Sequence, residues 1–195
     1  MKDLKTRLEK VFKKVDIPQN GTEKLITYIE TLQEWNKNIA LISKREENIV
    51  NHLVAPSLLF FKFFRDNNLS VVDIGSGAGF PAVVIKIYKP SLDVIMIEPN
   101  NKKAAFLNYI CAKLKLKCNI INKRIEQINN PIECDVITAR ALNIKPLIEE
   151  IRKKIKGGYL FWLTAKDNHL PLELKGEILF KQHCAKLYII TEQAG

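Results

Sequence analysis

The sequence predicts an α/β fold: a doubly wound, Rossmann-like, mostly parallel sheet behind an N-terminal helical extension. Three observations carry the prediction. Short apolar runs alternate with helical patterns from residue 70 onward, as strand–helix–strand units with parallel pairing require. A glycine-rich turn separates the first of these runs from the helix after it. Before residue 66 the chain shows apolar stripes at helical spacing and no strand pattern. The expected division is 1–66 for the extension and 67–195 for a ligand-binding core.

In chain order, Leu4, Leu8, Val11, Phe12 and Val15 form a first helical stripe, and Ile17-Pro18-Gln19-Asn20-Gly21 is a turn cluster. Leu25, Ile29, Leu32, Trp35 and Ile39 form a second stripe. Ile49, Val50, Leu53, Val54, Ser57 and Leu58 suggest a third helix, bent at Pro56. Strands follow at Ser70–Ile74, Asp93–Ile97, Cys118–Ile121, Cys134–Thr138 and Tyr159–Ala165, with a closing pair at Ile178–Lys181 and Leu187–Thr191. Helices lie between them. Pro81–Tyr88 carries proline in its first turn, and Asn100 caps a helix reaching Lys113. A helix over Ile144–Lys154 is expected to stop at Gly157-Gly158. In such a sheet a ligand sits outside the carboxyl ends of the strands, at the switch in strand order.

Composition narrows the class. Of 195 residues, 47% are apolar and 27% charged, which excludes disordered and low-complexity chains. No apolar run reaches the ~18–20 residues of a membrane span. The Met1-Lys2-Asp3-Leu4-Lys5 start lacks a signal-peptide pattern, so a cytoplasmic protein, off the membrane and monomeric, is expected. The net charge is +10; residues 1–100 hold 14 basic and 12 acidic side chains, and residues 101–195 hold 17 and 9. A basic half points to an anionic partner, nucleic acid first, or to lysines that merely solvate helix faces. Cys111, Cys118, Cys134 and Cys184 have neither metal-ligand nor redox-motif spacing, so buried thiols and no metal are expected.

The strongest local signal is Val72-Asp73-Ile74-Gly75-Ser76-Gly77-Ala78-Gly79-Phe80-Pro81. Alternating glycines between strand and helix let the backbone turn sharply and approach a ligand. A dinucleotide needs Gly-x-Gly-x-x-Gly, but the sixth position is Phe80, and Asp73 adds negative charge where phosphates would rest. S-adenosylmethionine has no phosphate and carries cationic sulfonium and amino groups, which suit an acid before the loop. Asp-x-Gly-x-Gly-x-Gly looks like the first motif of class I methyltransferases. Glu98, ending the second strand, serves either cofactor by accepting from both ribose hydroxyls.

The place after the fourth strand reads Thr138-Ala139-Arg140-Ala141, without the Asn/Asp-Pro-Pro-aromatic motif of some base-amine methyltransferases. Pyrimidine carbon-5 methylation needs a cysteine nucleophile, and Cys134 falls at the wrong end of its strand. Asp167 and His169 follow the fifth strand, but neither is clearly placed as a general base. An acceptor with a free lone pair, such as a purine ring nitrogen, needs only alignment and exclusion of water.

The glycine loop with Phe80-Pro81, Glu98 with Asn101-Lys102-Lys103 and Phe106-Leu107, Arg124-Ile125-Glu126, and Thr138-Ala139-Arg140-Ala141 resemble successive blocks of the ribosomal RNA small subunit methyltransferase G family, also called glucose-inhibited division protein B. Trp35-Asn36-Lys37 resembles its N-terminal block. The chain departs from the family pattern at Ala40, Ile42 and Ala82. The resemblance implies S-adenosylmethionine-dependent N7 methylation of a guanine in the 530 loop of 16S ribosomal RNA (guanine 527 in rRNA numbering), with 16S rRNA or the small ribosomal subunit as partner. It implies Gly75 and Phe80 at the methionine end of the cofactor, Glu98 on the ribose, and Ile125 and Glu126 at the adenine. It places Arg140 where cofactor and acceptor meet, as the residue that positions the transfer, with Asp73 and Gly77 in the same cofactor site. Lys123, Arg124 and Lys166 are candidate RNA contacts. Three readings stay open beside this one: a class I methyltransferase acting on another RNA or a small molecule, a dinucleotide-dependent oxidoreductase, and a non-catalytic RNA-binding module.

Overall fold

The computed structural model describes residues 2–15, 20–43, 48–180 and 183–190. Of the expected turn cluster, Ile17, Pro18 and Gln19 lie outside the described residues; so do Lys181 and Thr191 of the closing pair. No helix among the described residues is long and apolar enough to cross a membrane.

Seven strands form one sheet: β1 (Ser70–Ile74), β2 (Asp93–Ile97), β3 (Cys118–Ile121), β4 (Ile132–Arg140), β5 (Ile155–Thr164), β6 (Leu174–Phe180) and β7 (His183–Ile189). Their order is β3-β2-β1-β4-β5-β7-β6. Neighbours from β3 to β5 are parallel; β7 is antiparallel to both β5 and β6. The order reverses between β1 and β4, which opens a crevice at their carboxyl ends. Because side chains alternate along a strand, the sheet divides two cores. Val71, Val136, Phe161 and Leu163 face the N-terminal helices with α5 (Ala82–Tyr88) and α6 (Asn101–Lys113). Val72, Ile74, Ile137 and Trp162 face the side of α7 (Ile148–Lys154).

The N-terminal helices share the first core. α1 (Lys2–Val15) buries Leu8, Val11 and Phe12, and α2 (Thr22–Asn36) buries Leu25, Tyr28, Ile29 and Leu32 in the same cluster as Val71 and Phe161. The third expected helix is present in pieces. A π-helical turn over Val50–Val54 runs into α3 (Ala55–Leu58), and α4 (Phe60–Phe63) follows. Ala55 N–H donates to the Val50 carbonyl, five residues back. Pro56 has no N–H for the His52 carbonyl four residues back, so the chain widens there rather than only bending.

The first three strands match the expected bounds, and Asn100 caps α6 by accepting from the Lys102 and Lys103 amides at 3.0 and 3.1 Å. Three expectations are corrected. β4 runs to Arg140, so Arg140 ends the strand instead of lying beyond it. Gly157 and Gly158 are not a helix stop: α7 ends at Lys154 and β5 begins at Ile155, where it pairs with Ile132. A side chain at Gly157 would meet Ile137 at 3.0 Å and Cys134 Sγ at 3.2 Å, so this glycine serves close packing. The closing pair starts earlier than expected, at Leu174 and His183.

Candidate active site at the switch point

The loop after β1 folds onto the end of β2. Gly75 and Ser76 amides donate to the Ile97 carbonyl at 2.9 and 3.2 Å, and Gly79 N–H donates to the Ser76 carbonyl at 2.7 Å. Gly75, Gly77 and Gly79 have φ of +67°, +57° and +99°, a region that L side chains disfavour. At Gly79 a Cβ would also stand 2.5 Å from Val83 Cγ2. The Phe80–Pro81 peptide is cis. From α2, the buried Tyr28 hydroxyl donates to the Ala78 carbonyl at 2.6 Å, and its ring lies 5.1 Å from that of Phe80. The sequence reading missed Tyr28; its one signal is a place beside Leu25 and Ile29 on the apolar face.

Asp73 is 1% exposed. It pairs in register with Thr138 of β4, on the same face, and Thr138 Oγ1 donates to Asp73 Oδ1 at 2.6 Å. Asp73 Oδ2 is buried without a hydrogen-bond partner, and Asp73 is not among the residues that line the cleft beside the glycine loop. Burial pushes the Asp73 carboxyl up to about 7; the Thr138 and Ser76 hydrogen bonds oppose the rise, and the Glu98 charge adds to it.

Glu98, just past β2, is 4% exposed. Its Oε2 accepts from Gly77 N–H at 2.7 Å and its Oε1 from Asn100 N–H at 2.8 Å. A carboxylate has about four acceptor positions, so two stay open. Gly75, Gly77, Phe80, Glu98 and Arg140 line one cleft of about 340 Å3. Leu41 and Ile42 close its other side, fixed there because both amides donate to Asn36 Oδ1, at 2.8 and 3.0 Å. That is the work of the asparagine in Trp35-Asn36-Lys37.

Arg140, at the end of β4 and on the Asp73–Thr138 face, is half-buried, and its Nη2 donates to the His52 carbonyl at 3.3 Å. The next residue, Ala141, has φ +51°, a left-handed turn without glycine that carries local strain. Arg140, Ala141 and Leu142 line the cleft and also a second cavity of about 610 Å3. Pro56, Lys145, Trp162, Ala165, Asn168 and His183 are among its other lining residues. The Trp162 indole N–H is buried without a hydrogen-bond partner.

Other expected residues lie further out. Asn122 Nδ2 donates to the Glu98 carbonyl at 2.8 Å, so the loop after β3 abuts Glu98. Ile125, on the 3-10 turn in that loop, is buried among Ile74 and Ile97, while Glu126 is exposed; neither lines either cavity. Lys123, Arg124 and Lys166 are exposed. Cys134 is partly buried near the amino end of β4, and burial pushes its thiol up to about 12, which suits a packing role. Asp167 and His169 are exposed on the loop after β5, outside both cavities.

Comparison with known proteins gives concordant results. The model of the rRNA small subunit methyltransferase G family matches residues 21–191. The chain is 37% identical over 158 residues to the Helicobacter acinonychis (strain Sheeba) ribosomal RNA small subunit methyltransferase G, covering 79% of this chain and 84% of that one. It is 31% identical over 181 residues to the Macrococcus caseolyticus protein of the same name, covering 89% and 75%. Among solved structures, a putative methyltransferase yhhF from Escherichia coli superposes with a TM-score of 0.55 at 15% identity, covering 69% of this chain and 83% of that one. A SAM dependent methyltransferase from Aquifex aeolicus superposes with a TM-score of 0.53 at 17% identity, covering 69% and 88%. These two likenesses concern the fold.

Proposed function

The chain belongs to the rRNA small subunit methyltransferase G family, and from that membership and the paired cavities we propose that it methylates N7 of a guanine in the 530 loop of 16S ribosomal RNA. Family membership makes it an rRNA methyltransferase that uses S-adenosylmethionine. The observation that carries the finer reading is the wall shared by the two cavities: Arg140, Ala141 and Leu142 face both.

The glycine-loop cleft suits the cofactor. It presents the Glu98 carboxylate, with acceptor positions still open, to a ligand rich in hydroxyl and cationic donors, and the buried Asp73 carboxyl adds a negative field under the glycine loop. Gly75, Gly77 and Phe80 hold the methionine end, Asp73 backs the loop, Glu98 accepts from the ribose hydroxyls, and Ile125 and Glu126 on the adjoining turn flank the adenine. When bound, S-adenosylmethionine supplies an electrophilic methyl group on a sulfonium whose departure leaves a neutral thioether.

The cavity beyond Arg140 takes the acceptor base. Guanine N7 offers a lone pair with no proton to remove, so the protein has alignment and dehydration to provide. Arg140 positions the base or its phosphate with a planar, permanently charged guanidinium. Lys123, Arg124 and Lys166 stand outside both cavities and serve RNA phosphates.

The test is methyl transfer from labelled S-adenosylmethionine to small ribosomal subunits from a strain lacking the gene, with the product nucleoside identified and mapped. Label recovered as 7-methylguanosine in the 530 loop is the expected result. Label in another nucleotide, or none in rRNA while the cofactor still binds, would overturn it.

A further inference from the structure

Lys186, on β7, has a side chain with no exposed surface. Its register partners are Trp162 on β5 and Glu177 on β6. A buried ammonium is costly unless every proton finds an acceptor. Here Nζ donates to the Asn168 carbonyl at 2.6 Å and to the Lys166 carbonyl at 2.8 Å, and pairs with Glu177 Oε2 at 3.3 Å. Both ring nitrogens of His169 lie 3.3 Å away. Apart from Glu177, every one of these contacts is to one loop, the irregular segment after β5, and the two shortest go to its backbone carbonyls.

That loop helps to wall the second cavity: Ala165 and Asn168 line it, beside Thr164 at the end of β5. Its internal bonds are few. Asn168 N–H donates to the Ala165 carbonyl at 3.2 Å, and Asn168 Nδ2 donates to Thr164 Oγ1 at 2.8 Å. An apolar residue packed at position 186 would serve stability as well as a buried ion pair does. A lysine adds a compact charge with three rotatable donors, able to hold two carbonyls of a loop at once.

We propose that Lys186 is a positioning residue for the methyl acceptor, pinning the Ala165–His169 loop so that the acceptor cavity it shares with Arg140 keeps a fixed wall. The proposal rests on the reading of that cavity as the acceptor's. Lys186 touches neither cofactor nor base; it acts through the Lys166 and Asn168 carbonyls.

The test compares full-length Lys186→Met and Lys186→Arg with the wild type by amide hydrogen exchange, calorimetry with S-adenosylmethionine, and steady-state methylation of small subunits. In Lys186→Met, exchange is expected to quicken in residues 165–169 while β1, β4 and β5 keep their protection. Cofactor affinity is expected to stay unchanged. The kcat/KM for the subunit should fall about 10- to 100-fold, the scale on which misalignment of a reacting group slows transfer. Lys186→Arg, which keeps charge and donors, should recover part of the loss. If Lys186→Met yields no folded chain, Lys186→Gln, which keeps a donor for one carbonyl, carries the same readouts. Unchanged exchange in the loop overturns the proposal, and so does activity that falls only in step with cofactor affinity. A loosened loop with normal acceptor kinetics also overturns it, yet leaves the reaction standing. Failure of the wild type to methylate the subunit at all would instead overturn the reading beneath it.

Discussion

Arg140 Nη2 donates to the His52 carbonyl at 3.3 Å, and His52 stands four residues before Pro56. The two facts belong together. A regular helix would spend the His52 carbonyl on the amide of residue 56, but proline has none. The guanidinium at the end of β4 takes up that carbonyl and is held over the boundary between the cleft and the second cavity. A lysine could reach the carbonyl but could not offer a planar fork to a base or phosphate at the same time.

Arg140→Ala should therefore lose methylation, on the order of 100-fold or more in kcat/KM for the subunit, while keeping most cofactor affinity. Steady-state kinetics beside calorimetry separate the two. Parallel loss of both would make Arg140 mainly a cofactor residue.

Glu98→Ala should weaken S-adenosylmethionine binding by about 1–3 kcal/mol, the cost of losing hydrogen bonds to a charged group. The Gly77 and Asn100 amides, which donate to this carboxylate, also lose their acceptor. Calorimetry reads the change, and unaltered affinity would remove Glu98 from the ribose.

The Asp73 carboxyl sits at about 7 in the folded chain against 3.8 for the ordinary group, raised chiefly by burial. The folded state thus binds the extra proton between those values, and stability falls as pH rises through that window. Denaturant titrations of the cofactor-free protein from pH 4 to 8 should show this slope, and Asp73→Asn, which cannot ionise, should flatten it. A slope that survives the substitution would assign the effect to another group.

Tyr28→Phe keeps the ring against Phe80 and Phe106 but leaves the Ala78 carbonyl without its buried donor. A loss of about 1–3 kcal/mol in stability is expected, together with weaker cofactor binding, since the glycine loop loses its brace. Equilibrium unfolding and calorimetry check each part. Full cofactor affinity in a destabilised variant would confine Tyr28 to the core.

Local rules made β1, β2, β3 and the α6 cap readable to the residue, because buried runs and a capping Asn are decided by near neighbours. The glycine loop and Glu98, which line the cleft, were legible for the same reason. Gly157-Gly158 misled because a glycine that ends a helix and one that admits a facing side chain look alike in sequence. Only the packing of Ile137 and Cys134 tells them apart. The π-turn before Pro56 was missed because a proline at that spacing can either bend a helix or widen it. Tyr28 and Lys186 owe their roles to contacts 50 and 18–20 residues away, which no periodicity reveals.

The strand order also governs how the protein is made. β7 is translated after β6 yet lies between β6 and β5, so β6 has no place in the sheet until β7 arrives. The stripes of α1 and α2 are translated before Phe161, Ala185 and Leu187, which belong to the same core. The core behind α1 and α2 is therefore complete only once β5 and β7 have been made.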